Sequence, residues 1–122
     1  MNAPIIGWVG LTHLGLNSSV AGAEKGFSTV CFDPDVALIS ALEAGQLPVT
    51  EPDLPELLAE FRNRIKFTSD PALLSGCDVV YVAPDVPTND QGESDLTRIE
   101  SLLTLVKPFI QADAVLVILS QV

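Results

Sequence analysis

The stretch Gly10-Leu11-Thr12-His13-Leu14-Gly15 decides the fold of this 122-residue chain, because it joins a short apolar run to a helical pattern. The apolar run, Ile5 to Val9, is typical of a central strand that is buried on both faces. The helical pattern extends from Leu14 to Lys25, and Ser28 to Phe32 is a second, β-branched and aromatic run. The chain therefore begins as strand, glycine turn, helix and strand.

The rest of the chain continues to alternate between helix and strand patterns, which is typical of an open parallel α/β sheet. The predicted elements are a helix capped by Asp33 with Pro34 and closed by Gly45, a helix beginning near Asp53 with Phe61 on its apolar face, a strand from Ile65 to Thr68, a helical turn capped by Asp70 and Pro71, a strand from Asp78 to Ala83, a helix carrying apolar residues from Leu96 to Ile110, and a strand from Ala114 to Leu119. We expect a Rossmann-type doubly wound parallel sheet, truncated after its fifth or sixth strand. We interpret residues 1–122 as one domain, a fragment of a longer protein.

The composition excludes several classes of protein. The chain has 6 Lys+Arg against 16 Asp+Glu, a formal net charge of -10 and a pI near 4.1. Surfaces that bind nucleic acids or anionic membranes need many clustered Lys and Arg, and acids outnumber bases here by 16 to 6. The apolar runs are far shorter than the about 20 residues that span a bilayer, so we expect a soluble, cytoplasmic protein. With 48% hydrophobic residues, the chain has enough apolar side chains for one core.

The two cysteines, Cys31 and Cys77, each lie inside an apolar stretch. This placement indicates small buried hydrophobic residues rather than a disulfide framework. No spacing typical of metal ligands is present, and we assign the single histidine, His13, no catalytic role. The residues alone therefore predict neither a metal site nor a catalytic residue in this chain.

The turn between the first strand and the first helix lies where the dinucleotide fingerprint GxGxxG is found in α/β proteins. Gly10 and Gly15 fill the first and third glycine positions, and Thr12 stands at the second. The first glycine makes the tight turn, the third allows the helix to pack on the strand, and the helix N-terminus holds phosphate. An ordinary strand-to-helix turn would also explain this degraded motif.

Asp33 favours the dinucleotide interpretation. It follows the second strand, 18 residues after Gly15, close to the spacing of about 20 residues at which an acid binds the adenosine ribose. No Lys or Arg occurs between Asp33 and Phe61, so a 2′-phosphate would find no partner there. The sequence therefore predicts NAD rather than NADP as the cofactor.

Several groups of residues follow one another in a distinctive order. They are Gly10 to Gly15, Asp33, Gly45-Gln46-Leu47-Pro48, Glu51-Pro52-Asp53-Leu54, Leu57-Leu58, Phe67-Thr68-Ser69-Asp70, Cys77-Asp78-Val79-Val80, Gly92 with Asp95-Leu96, and Ser120-Gln121-Val122. In order and spacing they resemble the N-terminal, NAD-binding portion of the UDP-glucose/GDP-mannose dehydrogenase family, over almost the whole chain.

The resemblance implies a parent enzyme that oxidises the 6-hydroxymethyl group of a nucleotide sugar to a carboxylate, with two NAD per sugar and a thiol-bound intermediate. Such an enzyme acts in polysaccharide biosynthesis and forms homo-oligomers. The family's nucleophilic cysteine lies beyond this chain, and neither Cys31 nor Cys77 matches it. The chain alone is therefore expected to be inactive.

The resemblance also implies which residues contact the cofactor. Gly10 to Gly15, with Leu11, Thr12, His13 and Leu14 between them, would lie at the pyrophosphate and Asp33 at the adenosine ribose. Val86, Pro87 and Thr88 would follow the fourth strand, and Ser120 with Gln121 would lie near the nicotinamide. Three residues depart from the family's pattern: Thr12 replaces a glycine, Val86 stands where a Thr-Pro pair is usual, and Gln121 replaces a threonine.

Three other functions fit an α/β domain of this size. A methyltransferase-like nucleoside binder usually has an acid before the first glycine, where this chain has Ile6, Gly7, Trp8 and Val9. A receiver-type signalling module needs acidic residues near the first strand, and none occur from Ile5 to Leu16. A Rossmann module used only for interaction would result if Thr12 had abolished the cofactor site.

Overall fold

Five parallel strands form one sheet in the part of the chain that this computed structural model describes, residues 4–11, 13–46, 54–83 and 97–118. The strands are β1 (Ile5–Val9), β2 (Ser28–Phe32), β3 (Ile65–Thr68), β4 (Val79–Val82) and β5 (Val115–Ile118). Their order is β3-β2-β1-β4-β5, and every neighbouring pair is parallel. The predicted Rossmann-type sheet is confirmed.

Helices cover both faces of this sheet. They are α1 (His13–Glu24), α2 (Val36–Glu43), α3 (Leu54–Phe61) and α4 (Thr97–Val106), with short 3-10 segments at Arg62–Arg64, Pro71–Gly76 and Lys107–Phe109. One core cluster packs α1, α2 and α3 against the sheet around Trp8 and Phe67, and a second packs α4 and the segment Pro71–Gly76 around Val80 and Phe32. Two separate cores on opposite faces are what a doubly wound sheet requires. None of the described helices has the length and apolar character needed to cross a membrane.

The last helix is shorter than its apolar pattern predicts. The pattern continues to Ile110, but α4 ends at Val106 and a 3-10 turn follows at Lys107–Phe109. Pro108 explains the difference, because proline has no backbone N–H to continue the helix and its ring crowds the preceding turn. By contrast, the predicted cap of the helical turn after β3 is confirmed, since the Asp70 carboxylate accepts a hydrogen bond from the Ala72 N–H at 3.0 Å.

The carboxyl ends of β1, β2 and β4 meet at one edge of the sheet. Backbone hydrogen bonds extend one residue past the strands there: Gly10 donates to Phe32, and Ala83 donates to Val9. The strand order reverses at β1, because β2 follows it on one side and β4 lies on the other. In open α/β sheets, ligands bind outside the carboxyl ends at such a switch point.

β5 is the edge strand of the described sheet, on the side opposite β3. Its side chains are largely exposed, with Val115 at 56% and Ile118 at 48%, because no described element covers them. An apolar edge with unpaired backbone groups can pair with another strand.

Helix α1 packs against the turn after β1 through Gly15. A Cβ atom added to Gly15 would overlap the backbone carbonyl oxygen of Gly10 and lie 3.4 Å from that of Ala83. Gly22, in the same helix, has no neighbouring atom within 4 Å of such a Cβ. Only the first of these two glycines is therefore required by packing.

We predict opposite effects on stability for Gly15→Ala and Gly22→Ala. Gly15→Ala should lower the free energy of unfolding by about 1–3 kcal/mol, because the helix must move away from the backbone of the turn. Gly22→Ala should raise it by about 0.5–1 kcal/mol, because alanine loses less conformational freedom in a helix. Urea unfolding followed by circular dichroism measures both, and equal midpoints for the two variants would contradict the packing described here.

Both cysteines are free thiols buried in the core, as the sequence predicts. Burial raises the pKa of the Cys31 thiol from 9.0 to about 12. Burial, with the nearby Asp78 carboxylate, raises the pKa of Cys77 to about 11. The folded chain therefore disfavours both thiolates, which are the nucleophilic forms.

These shifts predict how stability depends on alkaline pH. Because the folded-state pKa lies above the unfolded value, the thiols contribute full stability below about pH 9, and this contribution is lost as pH rises through about 11 and 12. The free energy of unfolding should therefore fall as the pH rises from about 9 to about 12, and it should fall less steeply in Cys31→Ala. Equal slopes for the wild type and Cys31→Ala would show that the Cys31 thiolate is tolerated in the folded core.

Candidate functional site

Gly10 makes the tight turn at the end of β1. Its φ angle is +93°, in the left-handed region that favours glycine, and its N–H donates to the Phe32 carbonyl with a nitrogen-to-oxygen distance of 3.0 Å. The chain thus leaves β1 while still bonded to the end of β2. This is the role predicted for the first glycine of the motif.

The predicted turn residues are brought together at the start of α1. His13, Leu14 and Gly15 form its first turn, and Leu11, which precedes it, is fully buried. Thr12 lies outside the described residues. α1 has no acidic residue in its first turn, so the partial positive charge of the helix N-terminus is not offset there by a side chain of the helix itself.

Asp33 lies directly beside this turn, at 0% exposure. Its Oδ2 accepts a hydrogen bond from the Leu11 N–H at 2.9 Å, and its Oδ1 accepts one from the Asp35 N–H at 2.9 Å. Its own N–H donates to the Thr68 carbonyl at 3.2 Å. The carboxylate predicted to contact the cofactor therefore also contacts the glycine turn.

The prediction that Asp33 caps the second helix, with Pro34 as its first residue, is wrong. α2 begins at Val36, and its cap is Asp35, whose Oδ1 accepts a hydrogen bond from the Leu38 N–H at 3.2 Å. The physical reason is that α2 starts only at Val36, so the N–H that Asp33 Oδ1 accepts is that of Asp35, before the helix begins. The sequence reasoning missed Asp35, although its position three residues before Leu38 matches a cap equally well.

Ala83 is a second residue that the motif analysis did not assign to the site. It lies at the end of β4, is fully buried, and donates its N–H to the Val9 carbonyl at 2.8 Å. Its own carbonyl faces Gly15. Its location at the end of a predicted strand, Asp78 to Ala83, is the one sequence signal that could have indicated it.

Two basic side chains of the described region are bonded near the amino ends of the strands, at the end of the sheet opposite the glycine turn. The Arg62 guanidinium donates to the carbonyl of Ile65 at the start of β3, and that of Arg64 donates to the carbonyl of Ala23 near the end of α1. Neither bond is to a residue of the glycine turn.

Several predicted contacts lie outside the described residues. They are Thr12, Val86, Pro87, Thr88, Ser120 and Gln121. Within residues 4–11, 13–46, 54–83 and 97–118, no group of three or more His, Cys, Asp or Glu side chains is placed to hold a metal ion.

The described site is suited to binding rather than to covalent chemistry. A left-handed glycine, the N-terminus of a 12-residue helix and a buried acid after β2 meet at the switch point of a parallel sheet. A helix N-terminus favours phosphate oxygens, and an acid in this position favours ribose hydroxyls. Both thiols lie in the core and are disfavoured as thiolates.

Comparison of sequences finds relatives named UDP-glucose 6-dehydrogenase. The chain is 34% identical over 96 residues to UDP-glucose 6-dehydrogenase TuaD of Bacillus subtilis, covering 76% of this chain and 21% of that protein. It is 34% identical over 118 residues to the UDP-glucose 6-dehydrogenase of Rhizobium meliloti, covering 93% and 27%. The chain thus spans about a quarter of the length of these relatives.

A solved structure shows the same fold. The UDP-glucose dehydrogenase of Pyrobaculum islandicum superimposes with a TM-score of 0.88 at 24% identity, over 99% of this chain and 29% of that one. The family model for the NAD binding domain of the UDP-glucose/GDP-mannose dehydrogenase family matches residues 5–122. The chain therefore belongs to the UDP-glucose/GDP-mannose dehydrogenase family and represents its NAD-binding domain.

Proposed function

We propose that this chain holds NAD at the carboxyl edge of β1, β2 and β4, as the cofactor domain of an enzyme that oxidises the 6-hydroxymethyl group of a nucleotide sugar to a carboxylate. The observation that carries the proposal is the contact between the glycine turn and Asp33 at the switch point of the sheet. The relatives named UDP-glucose 6-dehydrogenase support the substrate class.

The residues of the turn would bind the pyrophosphate. Gly10 turns the backbone away from the space in which the pyrophosphate would lie. Gly15 lets α1 approach the turn closely enough for the N-terminus of the helix to face the phosphates. The partial positive charge at that N-terminus stabilises phosphate oxygens. Leu11, Thr12, His13 and Leu14 are proposed as the neighbouring contacts.

Asp33 would bind the adenosine ribose. A carboxylate oxygen can accept more than one hydrogen bond, so its bonds to the Leu11 and Asp35 N–H groups are compatible with this role. Pro34 and Asp35, both exposed, form the adjacent surface and carry no positive charge. The site thus favours hydroxyl groups over a 2′-phosphate.

Bound NAD supplies the hydride acceptor for the oxidation. We propose that Val86, Pro87, Thr88, Ser120 and Gln121 line its nicotinamide side. The described residues of this chain bind and orient the cofactor, and they contribute no nucleophile, because Cys31 and Cys77 are buried in the core. We therefore infer that the chain by itself does not oxidise a nucleotide sugar, and that residues 1–122 form one domain of a longer enzyme that supplies the thiol.

The wider setting follows from the same proposal. The parent enzyme would be a cytoplasmic homo-oligomer that acts in polysaccharide biosynthesis. It would take neither nucleic acid nor membrane as a partner, which the net charge of -10 supports, since phosphate-rich surfaces repel an acidic protein.

A ligand panel tests the proposal directly. We predict that NAD at about 100 times its Kd stabilises the chain by about 2.7 kcal/mol, which raises Tm by about 10 °C for a domain of this size. NADP, which differs from NAD by one phosphate, should raise Tm much less at the same concentration, and S-adenosylmethionine should not raise it. Differential scanning calorimetry of the wild-type chain measures all three.

The outcomes separate the competing functions. A Tm increase with S-adenosylmethionine alone would favour a nucleoside binder of the methyltransferase type. No increase with any ligand would indicate a Rossmann module used only for interaction. NADH formed by the isolated chain from NAD and a nucleotide sugar would contradict the inference that the reactive thiol lies elsewhere.

A further inference from the structure

We propose that Asp33 is a positioning residue for the glycine turn, in addition to the ribose contact assigned to it above. Its buried carboxylate would hold the Leu11 backbone, and with it the turn, in the conformation that receives the pyrophosphate. The inference rests on the proposed NAD site, but its first test is made without any cofactor.

The backbone bonds around the turn carry this inference. Gly10 donates its N–H to Phe32, the last residue of β2, which extends the ladder between the two strands by one step. Leu11 donates its N–H to the next residue, Asp33, through the carboxylate rather than the carbonyl. In a regular strand successive N–H groups face opposite neighbours, so the left-handed turn at Gly10 is what brings the Leu11 N–H to the end of β2, where the Asp33 side chain accepts it.

Burial makes this bond necessary. Leu11 and Asp33 are each 0% exposed, so water does not reach the Leu11 N–H as an alternative partner. A buried N–H that loses its acceptor must remain unsatisfied or move to water. In this turn, moving to water means displacing the fully buried Leu11 side chain from the core.

The carboxylate is itself held in place from two sides. The Asp33 N–H is bonded to the carbonyl of Thr68, the last residue of β3, and Oδ1 accepts the Asp35 N–H. Oδ2 is therefore directed at Leu11 before any ligand arrives. Such a fixed acceptor positions the turn relative to β2 and β3, which is the arrangement expected of a preorganised binding site.

Hydrogen exchange of the Leu11 amide tests the bond in the chain without cofactor. We expect the Leu11 amide proton to exchange about 10- to 100-fold faster in Asp33→Ala than in the wild type, since a hydrogen bond to a charged group is lost. Asp33→Asn should give an intermediate rate, because one of the two oxygens that accept from Leu11 and Asp35 becomes an NH2 group, which cannot accept an N–H. Asp35→Ala removes the same charge and should leave the Leu11 rate unchanged.

Cofactor analogues separate positioning from ribose binding. An NAD analogue lacking both hydroxyls of the adenosine ribose cannot bond to Asp33 through them. If Asp33 positions the turn, Asp33→Ala and Asp33→Asn should still weaken binding of this analogue, by about tenfold for the alanine variant. Calorimetry with Asp78→Ala as the control should show an unchanged Kd for both ligands, because the Asp78 carboxylate accepts the Ile5 N–H at the opposite end of the sheet.

Three results would overturn the inference. They are a Leu11 exchange rate unaffected by Asp33→Ala, an equal acceleration in Asp35→Ala, or an analogue affinity that is the same in the wild type and both Asp33 variants. If the wild-type chain binds neither NAD nor the analogue, the proposed function fails, while the exchange experiment still decides whether Asp33 holds the turn. Circular dichroism of each variant confirms that the exchange rates are compared between folded chains.

Discussion

One buried hydrogen bond, from the Leu11 N–H to the Asp33 carboxylate, joins the turn after β1 to the end of β2. The central strand β1 leaves the sheet at Gly10, and α1 packs back on it through Gly15. Both features require the turn to be compact, and the bond to Asp33 links it to the two strands on that side. The carboxylate is fully buried, and its two oxygens accept the backbone N–H groups of Leu11 and Asp35.

The rest of the described chain supports a binding site rather than a reaction centre. The two thiols lie in the cores on opposite faces of the sheet, where burial raises the pKa of each. The side chains of Arg62 and Arg64 are bonded to the carbonyls of Ile65 and Ala23, near the amino ends of the strands. Among the described residues, the N-terminus of α1 and the Asp33 carboxylate lie at the carboxyl end of the strands, which suits a diphosphate and a ribose.

Much of the fold could be predicted from the sequence, because alternating short apolar runs and amphipathic patterns correspond directly to buried strands and covering helices. The glycine turn was also predictable, since residues 10 and 15 fill positions that only glycine tolerates. The role of Asp33 was only partly predictable. An Asp-Pro pair at the start of a helix satisfies the local capping pattern, but a bond to Leu11, 22 residues away, depends on the pairing of β1 with β2. α4 ends earlier than its apolar pattern predicts, because Pro108 cannot continue the helix.

Mapping amide chemical shifts by NMR while NAD is added to the 15N-labelled chain shows whether NAD binds beside Asp33, because it locates the cofactor without relying on a variant. We expect the largest shifts at the carboxyl ends of the strands, in Gly10, Leu11, Gly15 and Asp33, with little change at Phe27 and Asp78 at the amino ends. Shifts concentrated at Phe27, Asp78 and Gln111, or saturable binding that leaves Leu11 and Asp33 unperturbed, would contradict it.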